Sequence, residues 1–406
     1  MNKLEQLLQE LCPAGVEYKE LSTIFNTRNG YTPSKSNKEF WENGTVPWFR
    51  MEDIRENGRI LSRATQMVSR SAVKGELFPA NSIIVATSAT IGEHALITVP
   101  SLANQRFTCL ALKPEHQHLF NIKFLFYYCF RLDQYCKECL NQSNFASVDM
   151  KKFAKFRFPI PPLPVQCEIV QILDNFTELT AELTAELTAR KKQYEYYRGV
   201  ILCSSNTVIE KTLGEICDFV RGPFGGSLKK ENFTKEGYAV YEQQHAIYGD
   251  FKFRYFIDKA KYDGMQRFSV KPGDLIMSCS GTMGRIAIIP DDAPKGIINQ
   301  ALLKMTPKDG VSNKYLKYCF EDTIAVQMNS EARGGAIKNV ASVAVLKNIK
   351  IQIPSLAEQN RIVTTLDYFY DLCNDLTSGL PAEIAARQKQ YEYYRDKLLT
   401  FKELTA

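Results

Sequence analysis

The heptapeptide Lys192-Gln193-Tyr194-Glu195-Tyr196-Tyr197-Arg198 returns letter for letter as Lys389-Gln390-Tyr391-Glu392-Tyr393-Tyr394-Arg395, 197 positions later. Glu186, Ala189, Arg190 and Leu202 recur at the same offset as Glu383, Ala386, Arg387 and Leu399. A repeat of this length marks a duplicated structural unit. At 406 residues, 45% of them hydrophobic, there is chain enough for two domains with a core each.

The duplication reaches beyond the heptapeptide. Val16, Leu21, Ile24 and Gly30 match Val208, Leu213, Ile216 and Gly222. Gly44 and Trp48 match Gly237 and Tyr241, and Pro79 and Ile83 match Pro272 and Ile276. Ser88-Ala89-Thr90-Ile91-Gly92 answers Ser280-Gly281-Thr282-Met283-Gly284, and Asn104-Gln105 answers Asn299-Gln300. Pro161, Leu163, Gln166 and Asp174 reappear as Pro354, Leu356, Gln359 and Asp367. Between these marks most residues differ, which implies one scaffold carrying two divergent surfaces.

Hydrophobic spacing places the elements. Leu4, Leu7, Leu8 and Leu11 predict a short helix over residues 2–11. Residues 82–87 and 107–112 read as strands, and the aromatic run near residues 124–129 as a short helix. Pro159, Pro161, Pro162 and Pro164 bar a helix or central strand. After them Ile169, Val170, Leu173, Phe176, Leu179, Leu183, Leu187, Tyr194, Tyr197 and Ile201 recur at three and four. That spacing predicts an amphipathic helix of roughly 35 residues, about 50 Å long at ~1.5 Å per residue. So long a helix implies a coiled-coil partner. Thr-Ala-Glu-Leu occurs twice in it, at residues 180–183 and 184–187. The second helical region carries Ser378-Gly379-Leu380-Pro381, which breaks or kinks it, or starts a fresh stretch at Pro381.

Charge and motifs narrow the function. A formal net charge of +6 permits a nucleic-acid partner without demanding one. Eleven scattered Cys, an odd number, are expected to be reduced thiols in the cytoplasm rather than a disulfide framework. No signal peptide or membrane span is read from the sequence. No acidic-Pro-Pro-aromatic motif for adenine methylation is present, and Gly222-Pro223-Phe224-Gly225-Gly226-Ser227 lacks the Lys of a phosphate loop. Pro290-Asp291-Asp292 has no following acidic-x-Lys and reads as a turn. Cys136 and Cys139, with His116 and His118 upstream, lack a second Cys pair and read as core thiols, not a zinc site. No catalytic residue and no metal ligand are expected.

Residues suited to DNA are more plentiful. Arg28, Lys35, Arg50, Arg63, Arg70, Lys74 and Arg106 fall in or beside predicted loops of the first half. Arg221, Lys229, Lys230, Arg267, Arg285, Arg333 and Lys338 do so in the second, with the amides Gln243 and Gln244. Lys and Arg supply phosphate contacts; Arg, Asn and Gln read base edges through paired hydrogen bonds. The Asn-Gln pairs fit either base reading or a structural turn. On the helices, Leu179, Leu183, Leu187, Tyr194, Tyr197, Tyr391 and Tyr394 suit a coiled coil. Tyr196 and Tyr393 point elsewhere and either rest on their own domains or dock a partner.

These features together resemble the specificity subunit of type I restriction–modification enzymes, over essentially the whole length. The resemblance rests on two Pro-rich exits with a downstream Gln (Pro161-Pro162-Leu163 to Gln166, Pro354 to Gln359), the two Lys-Gln-Tyr-Glu-Tyr-Tyr-Arg helices and the Thr-Ala-Glu-Leu repeats. It implies an α+β fold: two similar mixed α/β target-recognition domains separated by two long helices that pair as an antiparallel coiled coil. The domains would span residues 1–165 and 206–357, with helical regions at 166–205 and 358–406. It implies recognition of an asymmetric, bipartite site in double-stranded DNA. Two methyltransferase subunits and the restriction subunits would dock on the chain. S-adenosylmethionine, ATP and Mg would belong to those partners, with no cofactor in this chain. An orphan DNA-binding or protein-adaptor module is the alternative; salt-dependent duplex binding and co-purification with a methyltransferase subunit separate the readings.

Overall fold

The computed structural model describes residues 3–141, 146–203, 209–280, 282, 284–324, 343–375 and 377–404. Val208, Gly281 and Met283, used above as marks of the repeat, lie outside the described residues. The chain forms two compact units. Unit 1 runs to Glu182 and takes in the chain again from Ile384; unit 2 is Leu183–Glu383.

Unit 1 holds a five-stranded sheet in the order Phe25–Asn29, Phe107–Leu112, Ser82–Ala86, His94–Ile97, Ile60–Leu61. All pairings are antiparallel except the last. Every residue of Ser82–Ala86 is buried, because both faces of the strand are covered. Alternation sorts them: Ile83 and Val85 pack with Phe124, Leu125 and Leu132 of the helix Ile122–Glu138, while Ile84 and Ala86 pack with Phe49 and Phe78. A second sheet orders Met67–Val68, Val46–Phe49 and Leu102–Ala103, the latter two parallel. The chain end returns beside Val16, whose N–H donates to the Lys402 carbonyl at 2.9 Å, and the Leu404 N–H donates to the Val16 carbonyl at 3.0 Å.

Unit 2 repeats the plan with a four-stranded sheet, Cys217–Arg221, Leu302–Pro307, Leu275–Ser278, Ile286–Ile288. Beside it stand Phe256–Ile257, Tyr238–Tyr241 and Gly296–Ile298. Leu275 and Met277 face one core cluster and Ile276 another, as in unit 1. Register corrects one match read from the sequence. Phe49 pairs with Ala103 and Tyr241 with Ile298, and the following N–H groups, of Asn104 and Asn299, donate to the Phe49 and Tyr241 carbonyls at 3.0 Å. Tyr241 therefore corresponds to Phe49, not Trp48. A slip of one residue changes the face, and Trp48 packs with Val46 and Val68 in a different cluster from Phe49.

The predicted helix 2–11 is Lys3–Leu11, and the strand at 107–112 is Phe107–Leu112. The aromatic helix is longer than expected, 17 residues, because Leu132 and Cys136 extend the buried stripe by another turn. The long helix is Leu163–Cys203, 41 residues rather than roughly 35, about 60 Å. It begins inside the Pro-rich exit, because Pro164 falls in the first turn, where a missing N–H costs no intrahelical bond. The second helical region is broken, as its Gly and Pro imply, into Leu356–Asn374 and Leu380–Leu398. Asp375 closes the break by accepting from the Thr377 N–H at 2.7 Å and from the Thr377 and Ser378 hydroxyls.

The Gln after each Pro-rich exit has a physical reason. Gln166 is fully buried; its Oε1 accepts from the Asn121 N–H at 2.8 Å and its Nε2 donates to the Leu119 and Pro161 carbonyls at 2.8 and 2.7 Å. Gln359 does the same for the Ser312 N–H and the Gly310 and Pro354 carbonyls, at 2.8, 3.0 and 2.9 Å. Each amide thus pairs three backbone groups, a buried Pro carbonyl and two part-buried groups, that would otherwise lack a protein partner. One turn-pair on, Asp174 accepts from Tyr127 and Lys123, both at 2.6 Å, and Asp367 from Tyr318 and Lys314 at 2.6 and 2.7 Å.

Candidate nucleic-acid interface

In unit 1, three of the sequence-predicted cations meet. Lys35, Arg50 and Arg106 line a groove of about 570 Å³ with Lys38, Gln105, Trp41 and Trp48, and with the carboxylates Glu42 and Glu52. The two indoles contact edge to face, ring centroids 5.0 Å apart. Their N–H groups donate inward, Trp41 to the Ser34 carbonyl at 3.0 Å and Trp48 to the Tyr31 carbonyl at 2.9 Å, which fixes both rings. Arg50 precedes the helix Met51–Asn57 and is anchored through its backbone: its N–H donates to Asp53 Oδ2 at 2.7 Å. Buried Asp53 also accepts from the Thr65 N–H, at 2.6 Å. The Arg50 guanidinium lies 5.8 Å from the Trp48 ring centre; its buried Nε has no hydrogen-bond partner among the described residues and stands 4.0 Å from the Glu52 carboxylate.

The Asn-Gln pairs divide their labour. Asn104 Oδ1 accepts from the Arg106 N–H and Asn299 Oδ1 from the Ala301 N–H, each at 3.0 Å, so both Asn side chains hold a turn. Gln105 and Gln300 are exposed beside them. In unit 1 the Thr32 hydroxyl donates to Gln105 Oε1.

The remaining cations of unit 1 are exposed but do not line the groove. Arg28 lies over the Phe78 ring at 4.7 Å and Arg63 donates to Asn57 at 3.3 Å. Arg70 sits in the turn Arg70–Ala72; Lys74 is 6.0 Å from the Tyr31 ring centre. Sequence reasoning missed the groove's aromatic walls, Trp41 and Trp48. The available signal was that the chain's only two Trp fall seven positions apart around Asn43-Gly44.

In unit 2, Arg221, Lys229, Lys230 and Arg267 are exposed. Gln243 is tied to Ser280 in both directions: its Nε2 donates to the Ser280 carbonyl and its Oε1 accepts from the Ser280 hydroxyl at 3.1 Å. Gln244 is half-buried. Arg285 goes elsewhere, to a cleft of about 850 Å³ that it lines with Tyr194, Arg198, Tyr248, Lys317 and Tyr370. Arg333 and Lys338 lie outside the described residues.

The heptapeptides share an exposed second tyrosine and differ in what their other rings pack on. Tyr194 is buried against unit 2, edge-on to Tyr370 at 6.4 Å, with Arg198 stacked on it and donating to Asp322 at 3.2 Å. Tyr391 and Tyr394 pack on Phe176 in unit 1, at 6.5 and 5.7 Å. Leu183 and Leu187 are half-buried and Leu179 is more open. Tyr196 and Tyr393 are 68% and 64% exposed, each edge-on to the next tyrosine, Tyr197 or Tyr394, at 5.2 and 5.4 Å. Neither ring is buried on its own unit.

Cys136 and Cys139 are buried, and burial pushes the Cys136 thiol up to about 12. Among the described residues no cluster of three His, Cys, Asp or Glu could hold a metal ion. His245 is structural: Nδ1 accepts from the Glu242 N–H at 2.8 Å and Nε2 donates to the Lys252 carbonyl at 3.0 Å. No helix among the described residues is long and apolar enough to cross a membrane.

A duplicated α+β scaffold, its two copies joined by one long helix, is a class of protein already known. A family model for the type I restriction modification DNA specificity domain matches residues 13–190 and again 206–386, one span per repeat. The chain is 42% identical over 392 residues to the type I restriction enzyme EcoprrI specificity subunit of Escherichia coli, covering 93% of each. It is 32% identical over 281 residues to the EcoR124I/EcoR124II specificity subunit of Escherichia coli, covering 64% of this chain and 68% of that one. Among solved structures, a chain from work on complex assembly and conformational transition of the type I restriction–modification system matches at TM-score 0.67 and 16% identity, covering 96% of this chain and 98% of that one. The HsdS subunit from Thermoanaerobacter tengcongensis matches at TM-score 0.54 and 15% identity, covering 96% of each. The chain belongs to the family of type I restriction–modification specificity subunits. These are the non-catalytic, target-recognising members of their systems.

Proposed function

We propose that the two repeats each read one half of an asymmetric, split target in double-stranded DNA. Residues 1–165 and 206–357 act as the two target-recognition domains, and the helical regions 166–205 and 358–406 as the spacer between them. The observation that carries this reading is that one scaffold, stapled by the same buried Gln and half-buried Asp in both copies, bears different exposed cations and amides in each. Lys35, Arg50, Arg106 and Gln105 read or clamp the first half-site. Arg221, Lys229, Lys230 and Gln300 serve the second. The open pairs Tyr196–Tyr197 and Tyr393–Tyr394, alike in sequence and ring geometry, dock two methyltransferase subunits of one kind. Restriction subunits complete the cytoplasmic complex, and S-adenosylmethionine, ATP and Mg enter with those partners.

Methylome sequencing of cells with and without the chain tests this reading. It should reveal one bipartite motif that vanishes with the chain; no lost motif would refute it. The spacer role has its own test. Inserting a further Thr-Ala-Glu-Leu after Leu187 adds ~6 Å of helix against ~3.4 Å per base step. The non-specific gap should lengthen by one or two base pairs with both half-sites unchanged, and an unaltered gap counts against a helical ruler.

A further inference from the structure

We infer that Phe224 is a wedge that enters the base stack of the half-site read by unit 2, unstacking one base step. This rests on the DNA reading above. Phe224 is 93% exposed, more than any other large apolar side chain among the described residues, and no ring of those residues contacts it. It is held out by a turn with fixed ends, not by a slack tether. Before it, the Gly222 N–H donates to the Leu302 carbonyl at 2.9 Å and Pro223 is buried. After it, the Ser227 N–H donates to the Phe224 carbonyl at 2.8 Å and Leu228 is buried.

The internal duplication says where the ring faces. Gly222 and Gly30 make the same strand hydrogen bond, to Leu302 and to Phe107, and a Cβ on either would collide with the carbonyl of Asn299 or Asn104. Two residues further on, Phe224 corresponds to Thr32, which lines the groove of unit 1 and bonds Gln105. Unit 2 thus puts an apolar ring where unit 1 puts a hydroxyl, with Arg221, Lys229 and Lys230 exposed nearby in sequence for the phosphates. Minor-groove-binding proteins part base steps by inserting an apolar side chain while Arg and Lys hold the DNA.

The test uses the chain purified with its methyltransferase subunits, and duplexes of the mapped target carrying 2-aminopurine at successive positions of both half-sites. Fluorescence should rise on binding at one step of one half-site. Phe224→Ala should abolish that rise and weaken target binding about ten- to a hundredfold, as loss of base–aromatic stacking does, leaving the salt dependence unchanged. Phe224→Trp should keep both. An unchanged affinity and signal in Phe224→Ala overturns the wedge, and so does weakened binding without any fluorescence rise in the unsubstituted complex. If the unsubstituted complex does not prefer the mapped target to a scrambled duplex, the DNA reading itself falls.

Discussion

Unit 1 and unit 2 agree where side chains meet backbone and differ where they meet solvent. Gln166 and Gln359 pair the same three kinds of backbone group, and Asp174 and Asp367 take the same Tyr and Lys. By contrast, the groove of unit 1 has Trp walls and Thr32, and the matching turn of unit 2 has a free Phe224. Even beneath the heptapeptide the partners diverge: Arg198 pairs with Asp322, whereas Arg395 lies 4.3 Å over the Phe130 ring. A buried polar group constrains its position because losing its partner costs the full desolvation penalty. An exposed one can change without cost to the fold, which is how one scaffold can carry two specificities.

The largest expected effect strikes the shared part. Gln166→Leu and Gln359→Leu each strand one N–H and two carbonyls, at ~1–3 kcal/mol per group. Each should lower local stability by about 3 kcal/mol or more, seen as faster hydrogen exchange at the start of Ile122–Glu138 or of Asn313–Cys319. A silent substitution in either unit would break the equivalence of the two scaffolds.

Next in size, Tyr196→Ala and Tyr393→Ala should each cost a methyltransferase subunit about 2 kcal/mol of binding. Both rings are exposed, so thermal stability should hold. Calorimetry on the single and double variants would show whether the two sites are alike.

Arg50→Ala and Arg106→Ala should cost ~1–3 kcal/mol of discrimination and relax the methylated motif in one half-site only. Lys229→Ala and Lys230→Ala should instead weaken all sequences and lower the salt slope by about one each. Relaxation of both half-sites by Arg50→Ala would break the assignment of one unit to one half.

The smallest effect belongs to unit 2 alone. Hydrogen bonds from Ser378 and Thr377 hold the Asp375 carboxyl at about 2, below its unfolded value of ~3.9. Its contribution is therefore complete above pH ~4 and is lost as pH falls toward 2. Titration followed at the Thr377 amide should show that window, and Asp375→Asn should abolish it.

Much of this was legible in the residues. Repetition revealed the duplicated scaffold, and the three-and-four spacing of apolar residues revealed the long helix, because both are local or one-dimensional signals. Gly379 and Pro381 announced the break between Leu356–Asn374 and Leu380–Leu398. The Asn-Gln pairs were legible as important but not as divided, since only the turn shows that Asn104 caps backbone while Gln105 is exposed and bonded by Thr32. Sixteen residues were proposed for DNA, and only the fold brings Lys35, Arg50 and Arg106 to one groove while sending Arg285 to another cleft.

By itself, then, the sequence determined that there are two copies of one plan, that a long helix connects them and that the second helical region is broken. Strand register and the gathering of a groove were decided only by tertiary structure. A one-residue shift, such as the one that makes Phe49 and not Trp48 the counterpart of Tyr241, leaves composition and periodicity almost untouched and yet turns the side chain to the opposite face. Residues such as Lys35 and Arg106 lie far apart along the chain, and no local rule of spacing can bring them together.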